Sequence, residues 1–451
     1  MAERQHRIAF IGLGAMGFGM ATNLTRRGYN VTGFDAWGPT RERFLAEGGR
    51  IVDSPAEAVK DKDFVISCVA TNQQTQAVFF DGEGCAAPAL SRGATLLIAS
   101  TVSSSYIQSF ASQLTDAGRH DIFLVDCPIS GGAQRAADGT LSIMASGADA
   151  AVEKATFLMS EMAAKKKLYI VKGSIGAGSN MKMVHQVLAA IHILAASEAM
   201  GFAFHLGLDP VKTREAILGS RGSSFMFDHR TPRMFTNFRP VASALTIILK
   251  DANIITSEAR RNDFPTPMSS IAEQVFLDAF GRGFGADDDS GLVRLYTGGV
   301  YPTSKNPAID TSIKSQEERL AMVIALLEGI HLCAAAEALA FAAQLGLDLA
   351  QVYELCSDAA GGSRLLDLVG RGMLQTLSVG DTVEQGGSLR TLANDLRAAV
   401  EEAGRVKAPV FLGSQANNMV SITARHQSLH NGDSLGKVIR LWYPNAKHER
   451  P

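Results

Sequence analysis

Cysteine is scarce in this chain of 451 residues: Cys68, Cys85, Cys127, Cys333 and Cys356 are widely spaced and form no C-x-x-C pair. That excludes a disulfide-stapled scaffold and leaves no legible zinc spacing, so no metal is expected. An odd number of scattered thiols fits a reducing, cytoplasmic compartment. Charge of one sign is also missing, because 43 Lys+Arg meet 45 Asp+Glu for a net charge of −2. Neither sign forms a long block, so the footprint of a nucleic-acid binder is absent and small-molecule chemistry is the expectation. The opening Met1–Arg7 has no charged and apolar regions of a secretory signal, and Lys447–Pro451 spells no known address. Uninterrupted membrane-length apolar runs are lacking too. The stretches 187–204 and 321–345 contain His192 and Glu198, and Glu328, His331 and Glu337. A charged group costs roughly 2.5–3.5 kcal/mol at a bilayer centre, so both stretches read as buried helices of an all-α core.

What is present is an ordinary globular composition, 46% hydrophobic and 20% charged, with length for two to four domains. Apolar β-rich runs at Arg7–Ile11, Asn30–Asp35, Asp63–Val69, Thr95–Ser100, Ile122–Cys127, Leu141–Ala145 and Leu168–Val171 alternate with helical segments such as Met16–Arg27 and Arg41–Glu47. That alternation predicts βαβ units and a mainly parallel sheet. Lys165-Lys-Lys167 reads as a solvated edge preceding the last of these strands. From about Gly178 the composition turns to long Ala/Leu/Met-rich helices, which places a boundary near Gly176–Gly178.

The helical part repeats itself. Ile191–Asp209 (IHILAASEAMGFAFHLGLD) and Ile330–Asp348 (IHLCAAAEALAFAAQLGLD) agree at 12 of 19 positions with an offset of 139. Gly222-Ser-Ser224 answers Gly361-Gly-Ser363, Lys250-Asp251 answers Asn394-Asp395, and Leu292–Tyr296 answers Val438–Trp442. The Gly-, Pro- and Ser/Thr-rich stretch Thr297–Ser315 has linker composition. The expected organisation is residues 1–176, 177–299, a linker 300–315, a second copy 316–443 and a tail 444–451.

Ile8-Ala-Phe-Ile-Gly12-Leu13-Gly14-Ala15-Met16-Gly17 is a G-x-G-x-x-G directly after a strand and before a helix. In that context Gly12 makes the tight turn, Gly14 admits a pyrophosphate, Gly17 packs helix on strand, and the helix N-terminus faces the phosphates. Asp35 stands 23 residues after Gly12, where an acid hydrogen-bonds an adenosine ribose and repels a 2′-phosphate. NAD is therefore favoured over NADP, and the fold class is an α/β Rossmann-type N-terminal domain followed by two tandem all-α domains. Further along, Ser130-Gly131-Gly132 offers a hydroxyl and open backbone N–H groups suited to a small carboxylate, although a plain loop with a capping serine has the same sequence. Lys182, His185 and Gln186, at i, i+3 and i+4, share one helix face.

Taken together and in this order, the motifs resemble the β-hydroxyacid dehydrogenases, the group that includes 3-hydroxyisobutyrate and, more distantly, 6-phosphogluconate dehydrogenases. The resemblance spans about Arg7 to Tyr296. It implies that Ser130, Gly131 and Gly132 bind substrate and that Lys182 is catalytic. It further implies that Ser100-Thr101-Val102 lines the nicotinamide and substrate region, with Thr101 on the cofactor, and that Lys250 and Asp251 close over the site, with Lys250 on the cofactor side. Arg221-Gly-Ser-Ser224 falls where the family places a loop near the substrate, with Phe225 and Phe227 as pocket walls. Where many members have two asparagines after the lysine, this chain has His185-Gln186, a form similar to the L-threonate dehydrogenase branch, which oxidises C2 of four-carbon sugar acids. An imidazole and an amide can each hydrogen-bond such a polyhydroxylated acid.

The implied chemistry is NAD-dependent oxidation of a small hydroxy acid with Lys182 as general acid/base. A lysine that removes a hydroxyl proton must be neutral when it does so, which desolvation in a closed cleft favours. Two alternatives remain at this point: a reductase or dehydrogenase of the same fold acting on another 3-hydroxyacid, ketone or imine, and a catalytically silent NAD-binding scaffold. The second copy places Ala321, Ile324 and Ala325 opposite Lys182, His185 and Gln186, so it houses no second site of this kind. His331 and Glu337 answer His192 and Glu198 and are therefore assigned to packing. Tandem copies suggest an intrachain pseudo-dimer, as in 6-phosphogluconate dehydrogenases, alongside an ordinary homodimer. The acids Asp287-Asp-Asp289 read as caps of the following helix and not as a metal cluster.

Overall fold

The computed structural model describes residues 6–299, 314–358, 360–379, 386–425 and 433–444, so the expected linker and tail fall almost wholly outside the described residues. The chain divides into two compact units, Met1–Met183 and Val184–Pro451. Both helical copies belong to the second unit, where the sequence had suggested two separate domains.

The first unit is built on strands β1 (Arg7–Ile11), β2 (Asn30–Phe34), β3 (Arg50–Ile51), β4 (Phe64–Ser67), β5 (Thr95–Ile98), β6 (Phe123–Asp126), β7 (Ile129–Ser130), β8 (Leu141–Gly147) and β9 (Ala163–Ile170). Their order is β3-β2-β1-β4-β5-β6-β8-β7, with β9 paired to β8. The β3-to-β6 part is parallel throughout, whereas β8 runs antiparallel to β6 and β7. The intervening helices are α1 (Gly17–Arg26), α2 (Gly38–Ala46), α3 (Pro55–Val59), α4 (Asn72–Phe79), α5 (Ser104–Asp116), α6 (Gly132–Asp138) and α7 (Asp149–Met162). Successive side chains of β1 enter opposite cores: Ile8 and Phe10 pack with Met20, Leu24 and Phe44, while Ala9 and Ile11 pack with Val65, Ile98 and Phe110. A strand covered on both faces needs apolar residues at every position, which is why β1, β4 and β5 read as continuous apolar runs. The three lysines 165–167 lie inside β9 and do not precede it; Lys166 takes a positive φ of 66° on this partly exposed strand.

Helix α8 (Ala177–His205) begins in the first unit and continues into the second. The second unit then contains α9 (Pro210–Leu218), α10 (Phe225–Met234), α11 (Leu245–Arg261), α12 (Pro267–Gly281), α13 (Arg294–Thr297), α14 (Gln316–Gln344), α15 (Leu349–Asp358), α16 (Arg364–Val379), α17 (Leu389–Arg405) and α18 (Phe411–Arg425). The duplication is preserved element by element. Helices α8/α14, α9/α15 and α10/α16 start 139 residues apart, and α11/α17 and α12/α18 start 144 apart. The two membrane-length helices, α8 and α14, are core helices, 94% and 72% buried over their most apolar windows.

The copies interlock through the residues assigned to packing. The rings of His192 and His331 lie 4.4 Å apart, both fully buried. Glu198 accepts the N–H groups of Leu412 (3.0 Å) and Gly413 (2.8 Å) at the start of α18. Glu337 accepts those of Met268 (2.8 Å) and Ser269 (2.9 Å) at the start of α12. Each copy thus satisfies orphan donors at a helix N-terminus of the other.

Candidate active site

The Gly-rich loop leaves β1 beside the point where strand order reverses between β1 and β4, the place where open α/β sheets bind ligands. Gly12 has a φ of +90°, and a Cβ there would lie 2.5 Å from the Cys68 carbonyl oxygen, so only glycine makes this turn. A Cβ on Gly17 would lie 1.9 Å from the Gly12 carbonyl, which lets α1 start hard against the loop. Among the described residues nothing lies within 4 Å of where a Cβ on Gly14 would stand, and Ala15 is likewise exposed, so the backbone faces outward between these two close contacts. Asp35, just past β2, accepts the N–H of Leu13 at 2.7 Å and of Trp37 at 2.8 Å. It fixes the loop against the second strand and keeps further lone pairs for a hydroxyl. Leu13, Gly14, Asp35, Trp37 and Arg43 line a cavity of about 400 Å³, with the Arg43 guanidinium 4.5 Å above the Phe18 ring. Open backbone at a helix start beside a carboxylate fits a dinucleotide, the diphosphate against Gly14–Met16 and the ribose at Asp35. Thr101 follows β5 at partial exposure.

Ser130 closes the two-residue strand β7 and is buried, and Gly131 and Gly132 turn the chain into α6. Gly132 is exposed, and no atom of the described residues lies within 4 Å of where a Cβ there would stand. Four residues before Ser130 lies a group whose role the sequence reading missed. Asp126, fully buried at the end of β6, accepts both the N–H and the hydroxyl of Ser179 at 2.8 Å. Ser146 adds a hydroxyl bond to Asp126 (3.4 Å) and accepts the Gly178 N–H (2.8 Å). Burial pushes the Asp126 carboxyl up to about 6 against the opposing pull of these bonds. The clamp ties the first turn of α8, three residues before Lys182, to the strand that leads into Ser130. An acid ending an apolar strand was the available signal.

Lys182 is 6% exposed on α8. One turn on, His185 is fully buried and its Nδ1 pairs with Gln186 Oε1 at 3.0 Å. Gln186 in turn donates through Nε2 to Asp251 Oδ2 on α11 at 2.5 Å, and Lys250 pairs with Asp251 Oδ1 at 3.1 Å. The expected Lys250-Asp251 pair therefore joins the His185–Gln186 face of α8. The Arg221 loop behaves otherwise: Arg221 pairs with Glu328 (3.2 Å) and donates to the Gly386 carbonyl (2.8 Å), both in the second copy. Phe227 is fully buried core and Phe225 is half exposed. Asp288 caps the 3₁₀ turn Asp289–Val293 through the Ser290 N–H (3.0 Å). Asp287 and Asp289 are ion-paired with Arg294 (2.6 Å) and Arg230 (2.5 Å).

The family profile described as the NAD binding domain of 6-phosphogluconate dehydrogenase matches residues 7–173. That described as NAD-binding of NADP-dependent 3-hydroxyisobutyrate dehydrogenase matches twice, at 176–296 and 319–442. The chain belongs to the 3-hydroxyisobutyrate dehydrogenase family. It is a hydroxyacid dehydrogenase whose first unit is an NAD(P)-binding domain and whose helical module is doubled. An L-threonate dehydrogenase from Cupriavidus necator is 37% identical over 295 residues, 65% of this chain and 97% of that protein. The crystal structure of a 3-hydroxyisobutyrate dehydrogenase from Salmonella typhimurium, 32% identical, superposes with a TM-score of 0.60 over 64% of this chain and 100% of its own. A Plasmodium falciparum 6-phosphogluconate dehydrogenase shares the fold across 93% of both chains, at 14% identity and a TM-score of 0.66.

Proposed function

We propose that this dehydrogenase oxidises the C2 hydroxyl of a four-carbon sugar acid of the L-threonate type, with NAD as acceptor and Lys182 as general acid/base. The observation that carries the reading is the His185–Gln186–Asp251 chain beside a buried Lys182, which offers hydrogen-bonding groups where a branched aliphatic acid needs none. Several relatives at 31–37% identity are named L-threonate dehydrogenases, which supports the same class. The nicotinamide, when bound, accepts the hydride. Lys182 takes the hydroxyl proton, Ser130 and the N–H groups of Gly131 and Gly132 hold the carboxylate, and Gln186 with His185 reads the remaining hydroxyls. Asp35 selects NAD by meeting a free 2′-hydroxyl with a carboxylate, and Thr101 and Lys250 border the cofactor. The residues 1–176, 177–299 and 316–443 serve as cofactor, substrate and supporting segments.

The test is NADH formation with a panel of four-carbon aldonates and 3-hydroxy acids, run on wild type and Lys182→Ala. We expect turnover with an aldonate, at least ~10³-fold loss in the variant, and NAD affinity within about threefold of wild type. Retained turnover in the variant overturns the role of Lys182. Turnover with branched 3-hydroxy acids alone overturns the substrate class, and tight NAD binding without any turnover favours a scaffold.

A further inference from the structure

Helices α8 and α11 bring four polar side chains into one line. His185 Nδ1 lies 3.0 Å from Gln186 Oε1, Gln186 Nε2 lies 2.5 Å from Asp251 Oδ2, and Asp251 Oδ1 lies 3.1 Å from Lys250 Nζ. All four residues belong to the second compact unit. His185 and Asp251 are buried, whereas Gln186 and Lys250 are partly exposed.

The direction of each hydrogen bond follows from the end that cannot reverse. Asp251 is ion-paired with Lys250, and a carboxylate only accepts, so Gln186 must turn its NH2 group toward it. The reversed amide would set two acceptor oxygens 2.5 Å apart. Gln186 Oε1 is therefore the end that faces His185, and because a carbonyl oxygen only accepts, His185 Nδ1 must carry the hydrogen. In the neutral imidazole, the form that burial favours, Nε2 is then an acceptor. The second copy supplies a comparison. Ile324 and Ala325 stand where the first copy has His185 and Gln186, and Asp395, which answers Asp251, is exposed. The aspartate is buried in the copy where an amide donates to it.

We infer that Asp251 is a positioning residue: acting through Gln186, it holds the His185 proton on Nδ1 and makes Nε2 an acceptor for a substrate hydroxyl. A hydroxyl can donate to Nε2. An ether oxygen, a carbonyl oxygen or a fluorine at the same place can only bring a second acceptor against it. The pair thereby selects acids that carry a free hydroxyl on a carbon beyond the reacting one. The inference rests on the reading that His185 and Gln186 meet the hydroxyls of a sugar acid.

The first readout is the proton itself. Two-bond proton–nitrogen correlation spectra of the full chain with isotope-labelled histidine report each imidazole tautomer, the His185 signals being those lost in His185→Phe. We expect wild type to show a protonated Nδ1 and a bare Nε2, and Asp251→Asn, whose amide can present either end to Gln186, to show a mixture or the reverse. The second readout is kinetic, on the aldonate and on its analogues with fluorine in place of the C3 or the C4 hydroxyl. In wild type at least one analogue is expected to fall about 100-fold or more below the aldonate in kcat/KM, and Asp251→Asn to narrow that gap about tenfold or more. Thermal melting checks the fold of the variant; should it fail to fold, Gln186→Met, which cuts the line in the middle, is expected to give the same two results. A protonated Nε2 in wild type, a tautomer unchanged in the variants, or an unchanged gap overturns the inference. Aldonate turnover with the proton on Nε2 sinks this inference alone, whereas the expected tautomer without any aldonate turnover sinks the substrate reading and leaves the proton placement standing.

Discussion

Glu198 and Glu337 exchange places across the helical unit: each is fully buried in its own copy and caps a helix of the other, at distances of 2.8–3.0 Å. Desolvation pushes both carboxyls up to about 7. A carboxyl raised in the fold contributes stability that is present below its unfolded value, near 4.5, and is lost as pH rises through about 7. His192 and His331 act oppositely. Burial lowers both, His331 to about 3, so their contribution is present above 6.5 and is lost as pH falls below it. Between about 4.5 and 6.5 the two pairs offset each other. The double variant Glu198→Gln/Glu337→Gln, which fixes the neutral state, is therefore expected to lose Tm relative to wild type on acidification from about pH 7 to pH 5. Parallel melting curves for the two proteins would refute this.

Asp126 holds the start of the helix that carries Lys182. Asp126→Ala leaves the Ser179 N–H and hydroxyl and the Ser146 hydroxyl poorly satisfied, at a cost of about 1–3 kcal/mol per orphaned buried group. Displacement of α8 by even a fraction of an ångström is expected to lower kcat by about tenfold or more while NAD affinity changes less than threefold. Thermal melting and steady-state kinetics on the one variant check both statements, and an unchanged kcat would mean that the clamp serves stability alone.

Gln186→Leu removes the donor to a buried carboxylate on Asp251 and one of the two groups expected to read substrate hydroxyls. The expected outcome is a fall of about 10–100-fold in kcat/KM for a sugar acid and a smaller fall for a branched aliphatic hydroxy acid. Equal losses on both substrates would assign Gln186 to packing.

Asp35→Ala should weaken NAD more than NADP, by about 1–2 kcal/mol of relative affinity, because it removes both a ribose acceptor and a charge that repels a 2′-phosphate. Fluorescence titration with the two cofactors measures the ratio directly.

The parts of this molecule that were legible in sequence are those encoded by neighbours in the chain. The glycines at 12, 14 and 17, the Ser130-Gly131-Gly132 turn and the i, i+3, i+4 set on α8 are local patterns with local physical reasons. The duplication was legible because α8 and α14 had to stay apolar all round. Two-residue strands such as β3 and β7 are too short for any periodicity. The long-range pairs were silent for a different reason: Gln186 meets a partner 65 residues away, Asp126 one 53 away and Glu198 one 215 away. Arg221 shows the same gap, since its loop was expected beside the substrate and its side chain instead spans to the second copy.

The Arg221–Glu328 pair has no counterpart at Ala360 and Ala189, and that asymmetry is available only to a concatenated chain. In an assembly of two identical subunits, every surface residue is used twice and the contact must be complementary to itself. Joining the copies lifts that constraint. One half can carry an ion pair at positions where the other has Ala360 and Ala189, so a single chain does what identical partners cannot: it differs from itself across its own symmetry axis.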